Sequence, residues 1–364
     1  MRDDAGAPDW VELRRVRLPM VGPFRTSAGA LAHRDLLLVR VGVGGVEGWG
    51  ECAALPEPTY SSEYVDGAAA VLHRFLVPAL WAPAAGVAGH PMAAAALRTA
   101  VLDAQLRSIG VPLARHLGAE RTEVPAGAAV GFTATIDELL AEVEALVAVG
   151  YLRIKVKIGP GWDLGPLAAV RELVGPGIVL QADANGAYRA GDADHLAELD
   201  RFDLALVEQP LPADDLLGHA QLARRLATPI CLDESITSVG AAEAALELGA
   251  CSVVCVKPGR LGGIEAAAEV HDRCRDVGAD AWCGGMLETG IGRAALLALA
   301  ALPGFTLPGD LSATGRWFAD DLVAPVALGA HGHLPVPDEP GIGPPPDLDA
   351  VDRFTTGTEL VHRP

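Results

Sequence analysis

From residue 124 onward the chain repeats one order of elements: a short apolar run, then an amphipathic run rich in Ala, Leu and Glu. The apolar runs are VPAGAAVGF (124–132), RIKVKI (153–158), IVLQAD (178–183), LALVE (204–208), PICLD (229–233), SVVCVK (252–257), DAWCGG (280–285) and FTLPGD (305–310). Strands with continuous apolar character are buried on both faces, and the helical segments between them supply the crossovers that parallel strands need. Eight such runs separated by seven helical segments predict an α/β chain with a (β/α)7β TIM-like barrel over 121–320. A doubly wound open sheet shares the alternation, but it needs fewer strands, and no G-x-G-x-x-G turn follows the first run.

The preceding residues follow another pattern. VELRRVRLP, DLLLVRVGVG and GGVEGWGE read as an antiparallel meander, and from Gly67 the chain turns to Ala/Leu-rich helices. Residues 1–120 are therefore expected to form an α+β capping domain. The Pro/Gly-rich tail, 321–364, is expected to return to that cap. Six cysteines in 364 residues are too few for a disulfide framework, and none forms a C-x-x-C pair. Cys251 and Cys255 fall in a buried strand and read as small core residues rather than zinc ligands.

Charge narrows the partners. The sequence has 28 basic and 47 acidic residues, a net charge of −19, and such a surface repels nucleic acid and anionic lipid. The first residues, MRDDAGAPDW, do not read as a leader, and no uncharged apolar run approaches the length of a membrane span. A cytoplasmic protein acting on a small molecule is expected.

The chemistry-bearing residues stand at the C-terminal ends of successive strands. Asp183, Glu208, Asp233 and Lys257 end four consecutive runs at spacings of 25, 25 and 24 residues. One strand, one helix and two loops of a barrel occupy about that length, so the four side chains are expected at one level of one mouth. Singly each acid has an ordinary explanation: Asp183 opens a DANG turn, Glu208 precedes Gln-Pro, and Asp233 can cap a helix. Together, three carboxylates converging in an apolar mouth repel one another and call for a cation. An all-oxygen donor set favours Mg²⁺ or Mn²⁺ over zinc.

Lys155 and Lys157 alternate with Ile154 and Val156, so the two amines share one face of the second strand. With Lys257 on the sixth strand, opposite the second in an eight-stranded barrel, amines are expected on both sides of the acidic cluster. Burial, a neighbouring amine and a dication would all lower a lysine pKa toward working pH. The chemistry this suggests is proton abstraction beside a carboxylate, with a lysine as base and the cation stabilising the charge that develops.

The set Lys155-x-Lys157, Asp183-Ala-Asn185, Glu208-Gln-Pro210, Asp233-Glu234 and Lys257 resembles the enolase superfamily, in its muconate-lactonizing-type branch. Sites of this superfamily use a Lys or His base with Mg²⁺. The resemblance covers nearly the whole chain and implies Lys157 and Lys257 as catalytic residues and Asp183, Glu208 and Asp233 as metal ligands. PFRTSAG (23–29), ECAALPEPTYSSEY (51–64), GGMLETGIGR (284–293) and LPGD (307–310) look like o-succinylbenzoate synthases of the group that includes N-succinylamino acid racemases. This likeness implies dehydration of 2-succinyl-6-hydroxy-2,4-cyclohexadiene-1-carboxylate toward menaquinone, with N-succinylamino acid racemisation as the alternative. It places Lys155, Asn185 and Glu234 beside the lysines, and Gly285, Met286 and Glu288 after the seventh strand. Arg260 matches forms with racemase capability, and Ser27 and Tyr60 are cap residues reaching the substrate. The family's VSVG-like first strand reads Gly127-Ala128-Ala129-Val130-Gly131 here, without its hydroxyl. Composition reports no oligomeric state; a homo-oligomer is the expectation.

Overall fold

The structure, a computed structural model, describes residues 7–26, 29–82 and 86–364, so the expected contact Ser27 lies outside the described residues. Its N-terminal elements are β1 (Trp10–Thr26), β2 (Gly29–Val43), β3 (Val46–Cys52), α1 (Val65–Val71), α2 (Pro91–Ser108) and α3 (Leu113–His116). The three strands form the predicted antiparallel meander. Gly44 and Gly45, both at positive φ, make the two-residue turn that leaves Val43 opposite Val46. The Ala-rich stripe of α2, with Ala93, Ala96, Ala100 and Ala104 buried, lies against β3. The approach is so close that a Cβ on Gly48 or Gly50 would meet the helix backbone at 2.1 or 2.0 Å.

The barrel follows as β4 (Glu123–Pro125), β5 (Gly127–Val130), α4 (Ile136–Val149), β6 (Arg153–Lys157), α5 (Leu164–Val174), β7 (Val179–Asp183), α6 (Ala193–Leu196), β8 (Leu206–Glu208), α7 (Leu216–Ala223), β9 (Ile230–Leu232), α8 (Val239–Glu247), β10 (Val253–Val256), α9 (Pro258–Leu261), α10 (Ile264–Val277), β11 (Asp280–Cys283) and α11 (Gly290–Ala300). Strands β5 to β11 form one parallel sheet in sequence order. Thr135, Asp163, Asp215, Ser238 and Thr289 each accept a backbone N–H at a helix start, which fixes where five crossovers turn.

Two expected strands differ. The run 124–132 is divided: β4 pairs antiparallel with a later strand, and only β5 enters the barrel. The run 305–310 forms no regular strand, because Pro308 has no N–H to donate. It still fills the eighth position. Thr306 N and Asp310 N donate to the Ala281 and Cys283 carbonyls (3.0 and 3.1 Å), and Gly127 N donates to the Gly309 carbonyl (3.0 Å).

The tail adds β12 (His333–Pro335), α12 (Leu348–Phe354) and β13 (Thr355–His362). β12 pairs with β4 beneath the barrel, and β13 pairs antiparallel with β1, completing the cap sheet in the order β13-β1-β2-β3. Asp103 of α2 is fully buried and accepts from Trp49 N, Ile342 N and Arg107 Nε, binding tail to cap. Among the described residues no helix is long and apolar enough to cross a membrane. All six cysteines are free and buried.

Candidate active site

Parallel register places the strand-end residues side by side. Lys157 pairs with Asp183, and Asp183 with Glu208, so three neighbouring strands deliver them to one rim. Asp233 follows β9 directly, and Lys257 follows β10. Lys155, Lys157, Asp183, Asn185, Glu234 and Lys257 line one pocket, which Tyr60 and Leu55 of the cap and Gly285, Met286 and Glu288 after β11 complete.

The polar groups form two knots. In the first, Lys157 Nζ donates to Asp183 Oδ2 and Asn185 Oδ1, both at 2.6 Å, and Asn185 Nδ2 donates to Glu234 Oε1 at 2.9 Å. Asn185 is held at φ +43°, a conformation that Asn tolerates. Lys155 Nζ lies 2.7 Å from Glu208 Oε2, 3.3 Å from Asp183 Oδ2 and 2.5 Å from Asp310 Oδ2. In the second knot, Lys257 Nζ donates to Asp233 Oδ2 at 2.8 Å and to the Tyr60 hydroxyl at 3.0 Å. Tyr60 donates to Asp233 Oδ2 at 2.8 Å, and Arg260 donates to Tyr60 at 2.6 Å and to both the carbonyl and carboxylate of Asp233. Lys157 and Lys257 are thus each held by a different carboxylate. On the remaining wall, Glu288 Oε2 accepts from Met286 N at 2.7 Å.

Carboxylates dominate the field around two of the lysines. Burial works to lower Lys155, but Asp310, Glu208 and Asp183 hold it well above its ordinary value. Lys257 is likewise raised, Asp233 and Tyr60 outweighing burial. Clustered carboxylates, rather than the neighbouring amine, set the local field. Against the effect of burial, Arg260 and Lys257 hold Asp233 well below the carboxylate range, and Lys157 and Lys155 lower Asp183. Burial, then Asp183, pushes Glu208 up to about 8, and burial followed by Asp233 raises Glu234.

The donor set fits a divalent ion. Glu208 is 1% exposed, and its Oε1 is buried with no hydrogen-bond partner, an arrangement that is costly unless a cation compensates it. Sequence reasoning missed two neighbours. Asp310 bridges Lys155 and the buried Arg153 (2.6 Å), and its one signal in the sequence is its place at the end of the LPGD motif. Cys255, read as core, is buried but has ligand-forming atoms of Glu208 and Asp233 within 4.8 Å. Asp183, the expected third ligand, does not belong to that compact trio; its oxygens face Lys157, Lys155 and its own turn at Asn185 N.

Residues 11–118 match the family profile "Mandelate racemase / muconate lactonizing enzyme, N-terminal domain", and residues 138–350 match "Enolase C-terminal domain-like". The chain belongs to the enolase superfamily, and it is an enzyme with that superfamily's barrel and cap. It is 53% identical to an N-succinylamino acid racemase from Amycolatopsis sp, over 95% of this chain and 97% of the relative. It is 43% identical to an o-succinylbenzoate synthase from Geobacillus kaustophilus, over 98% of both. A crystal structure of an enolase superfamily member from Listeria innocua superposes with a TM-score of 0.93 at 36% identity, covering 98% of this chain and 99% of that one.

Proposed function

We propose that this enzyme removes the proton α to a carboxylate, dehydrating 2-succinyl-6-hydroxy-2,4-cyclohexadiene-1-carboxylate to o-succinylbenzoate, and that the same site supports racemisation of N-succinylamino acids. The observation that carries this reading is the pair of amines, Lys157 and Lys257, lining one pocket from β6 and from the end of β10. Relatives named for each of the two activities support both halves.

Asp183, Glu208 and Asp233 would hold Mg²⁺ or Mn²⁺, which supplies electrophilic stabilisation for charge developing on the substrate carboxylate. Lys157 takes the α-proton, and Asn185 Oδ1, 2.6 Å away, fixes the direction of the amine. Lys155, held charged by three carboxylates, is a fixed cation rather than a base. In the dehydration the β-hydroxyl departs with a proton as water, and the new double bond completes the aromatic ring. Lys257 presents positive charge on the opposite face. In the racemisation it returns a proton there, while Tyr60 and Arg260 hold the Asp233 to which it is bonded. Tyr60 also places the cap loop over the pocket, excluding water.

The test is to assay the purified chain with the cyclohexadiene carboxylate and with both enantiomers of an N-succinylamino acid in D₂O. Lys157→Ala should abolish dehydration. Lys257→Ala should abolish racemisation and stop α-deuterium exchange from one enantiomer only. Unchanged exchange from both enantiomers in Lys257→Ala would sink the two-base reading.

A further inference from the structure

Beside the carboxylates of the site lies a thiol that this chemistry does not use. Among the described residues, Glu208, Asp233 and Cys255 each offer one ligand atom, the three atoms lie within 4.8 Å of one another, and all three residues are buried. Three donors sharing one tetrahedral ion at about 2.0–2.3 Å stand about 3.3–3.8 Å apart, so the trio needs to contract by up to about 1–1.5 Å, a movement within reach of the two carboxylate side chains. A second observation points to a ligand here: Glu208 Oε1 is buried and has no hydrogen-bond partner.

Cys255 reaches this place by strand alternation. It precedes Lys257 by two residues and so points to the same interior face, one layer deeper, beside Cys231 and Trp282. A Cβ on Gly284 would lie 2.5 Å from its Sγ, so the thiol is packed in a fixed position. Two ligand sets therefore share Glu208 and Asp233. Asp183 would complete the set with oxygen, and Cys255 would complete it with sulfur. Hard ions such as Mg²⁺ gain nothing from sulfur, whereas Zn²⁺, Co²⁺ and Cd²⁺ bind thiolate strongly.

We infer that Glu208, Asp233 and Cys255 form a mixed oxygen and sulfur site for borderline and soft divalent ions, overlapping the catalytic cation's position. The inference rests on reading the carboxylates as a metal centre. On binding, the metal–Sγ bond replaces the S–H bond, and the proton leaves to water. Soft ions then compete with the catalytic ion for Glu208 and Asp233.

The full chain, freed of metal by chelation, is titrated with Co²⁺ and followed by absorption. The expected result is a thiolate-to-cobalt charge-transfer band in the near ultraviolet that saturates at one Co²⁺ per chain. Cys255→Ser should lose the band and bind Cd²⁺ at least about tenfold more weakly. Cys274→Ser, which alters a buried thiol on α10, should keep the band and control for general loss of structure. A Co²⁺ spectrum without charge transfer, or a band that survives in Cys255→Ser, overturns the inference. In those cases wild-type turnover with Mg²⁺ leaves the proposed function standing. Failure of every divalent ion to bind overturns both.

Discussion

Asp310 offers a direct test of how the pocket is held together. Its carboxylate receives Arg153 Nη1 at 2.6 Å and Lys155 Nζ at 2.5 Å, and both cations are almost fully buried. In Asp310→Asn, Lys155 keeps the charges of Glu208 and Asp183, but Arg153 is left with neutral partners, the Pro308 carbonyl at 3.3 and 3.0 Å, the face of Trp282 and at best an amide oxygen. A buried charge stripped of its partner costs about 3–5 kcal/mol. With an unfolding entropy of about 2.1 cal/mol/K per residue over 364 residues, that cost corresponds to a drop in Tm of about 4–7 °C. Scanning calorimetry or circular dichroism melting at pH 7 reads it. The control is Asp35→Asn, which breaks an exposed pair with Arg17 (2.7 Å) and should move Tm by about 1 °C or less. The gap should also depend on pH in one direction. Burial raises the Asp310 carboxyl, but Lys155 and Arg153 outweigh it and hold the group well below its unfolded value of about 3.9. Its contribution is therefore complete above about pH 4 and is lost on acidification below that, so wild type and variant should converge there. A variant that melts within 1 °C of wild type at pH 7 would refute the view that Asp310 neutralises Arg153.

Three further outcomes are expected. Chelation with EDTA should abolish turnover and lower Tm, and Mg²⁺ or Mn²⁺ should restore both; full activity after exhaustive chelation would contradict the metal reading. Tyr60→Phe removes a hydroxyl shared by Asp233, Lys257 and Arg260, and should cost about 1.5–3 kcal/mol in denaturant titration; an unchanged midpoint would show that the cap loop is held by other contacts. Burial, opposed by its bond from Thr289, pushes Glu51 of β3 up to about 7, so the folded state binds the proton more tightly than the unfolded chain. Wild-type stability should then fall as pH rises from about 4.5 to about 7, and Glu51→Gln should flatten that slope.

The parts of the fold that strand and helix periodicity controls were legible in the sequence. The spacing of Asp183, Glu208, Asp233 and Lys257 located them at the ends of consecutive strands because every barrel unit has nearly the same length. Alternation put Lys155 and Lys157 on one face, and both reach Asp183. What was not legible depends on contacts between distant segments. Residues 305–310 are apolar enough to suggest a strand, but Pro308 interrupts the ladder, and the segment's importance lies in Asp310 at its end. The single run at 124–132 is divided because β4 finds a partner in β12, more than 200 residues away. Cys255 resembles any core cysteine until Glu208 and Asp233, arriving from two other strands, are brought beside it. Lys155 is held charged for a similar reason, since the carboxylate of Asp310 reaches it from a segment 155 residues further along the chain.

The pairing of β1 with β13 has a consequence for how the chain is made. Arg14 finds its partner Thr358 only after the 343 intervening positions have left the ribosome, so the outer margin of the first sheet stays unprotected until then. The finished barrel acts as the clasp that brings the two ends together. Trimming the last strand would leave the catalytic rim intact in sequence, yet it would turn that margin into an adhesive surface for other nascent chains.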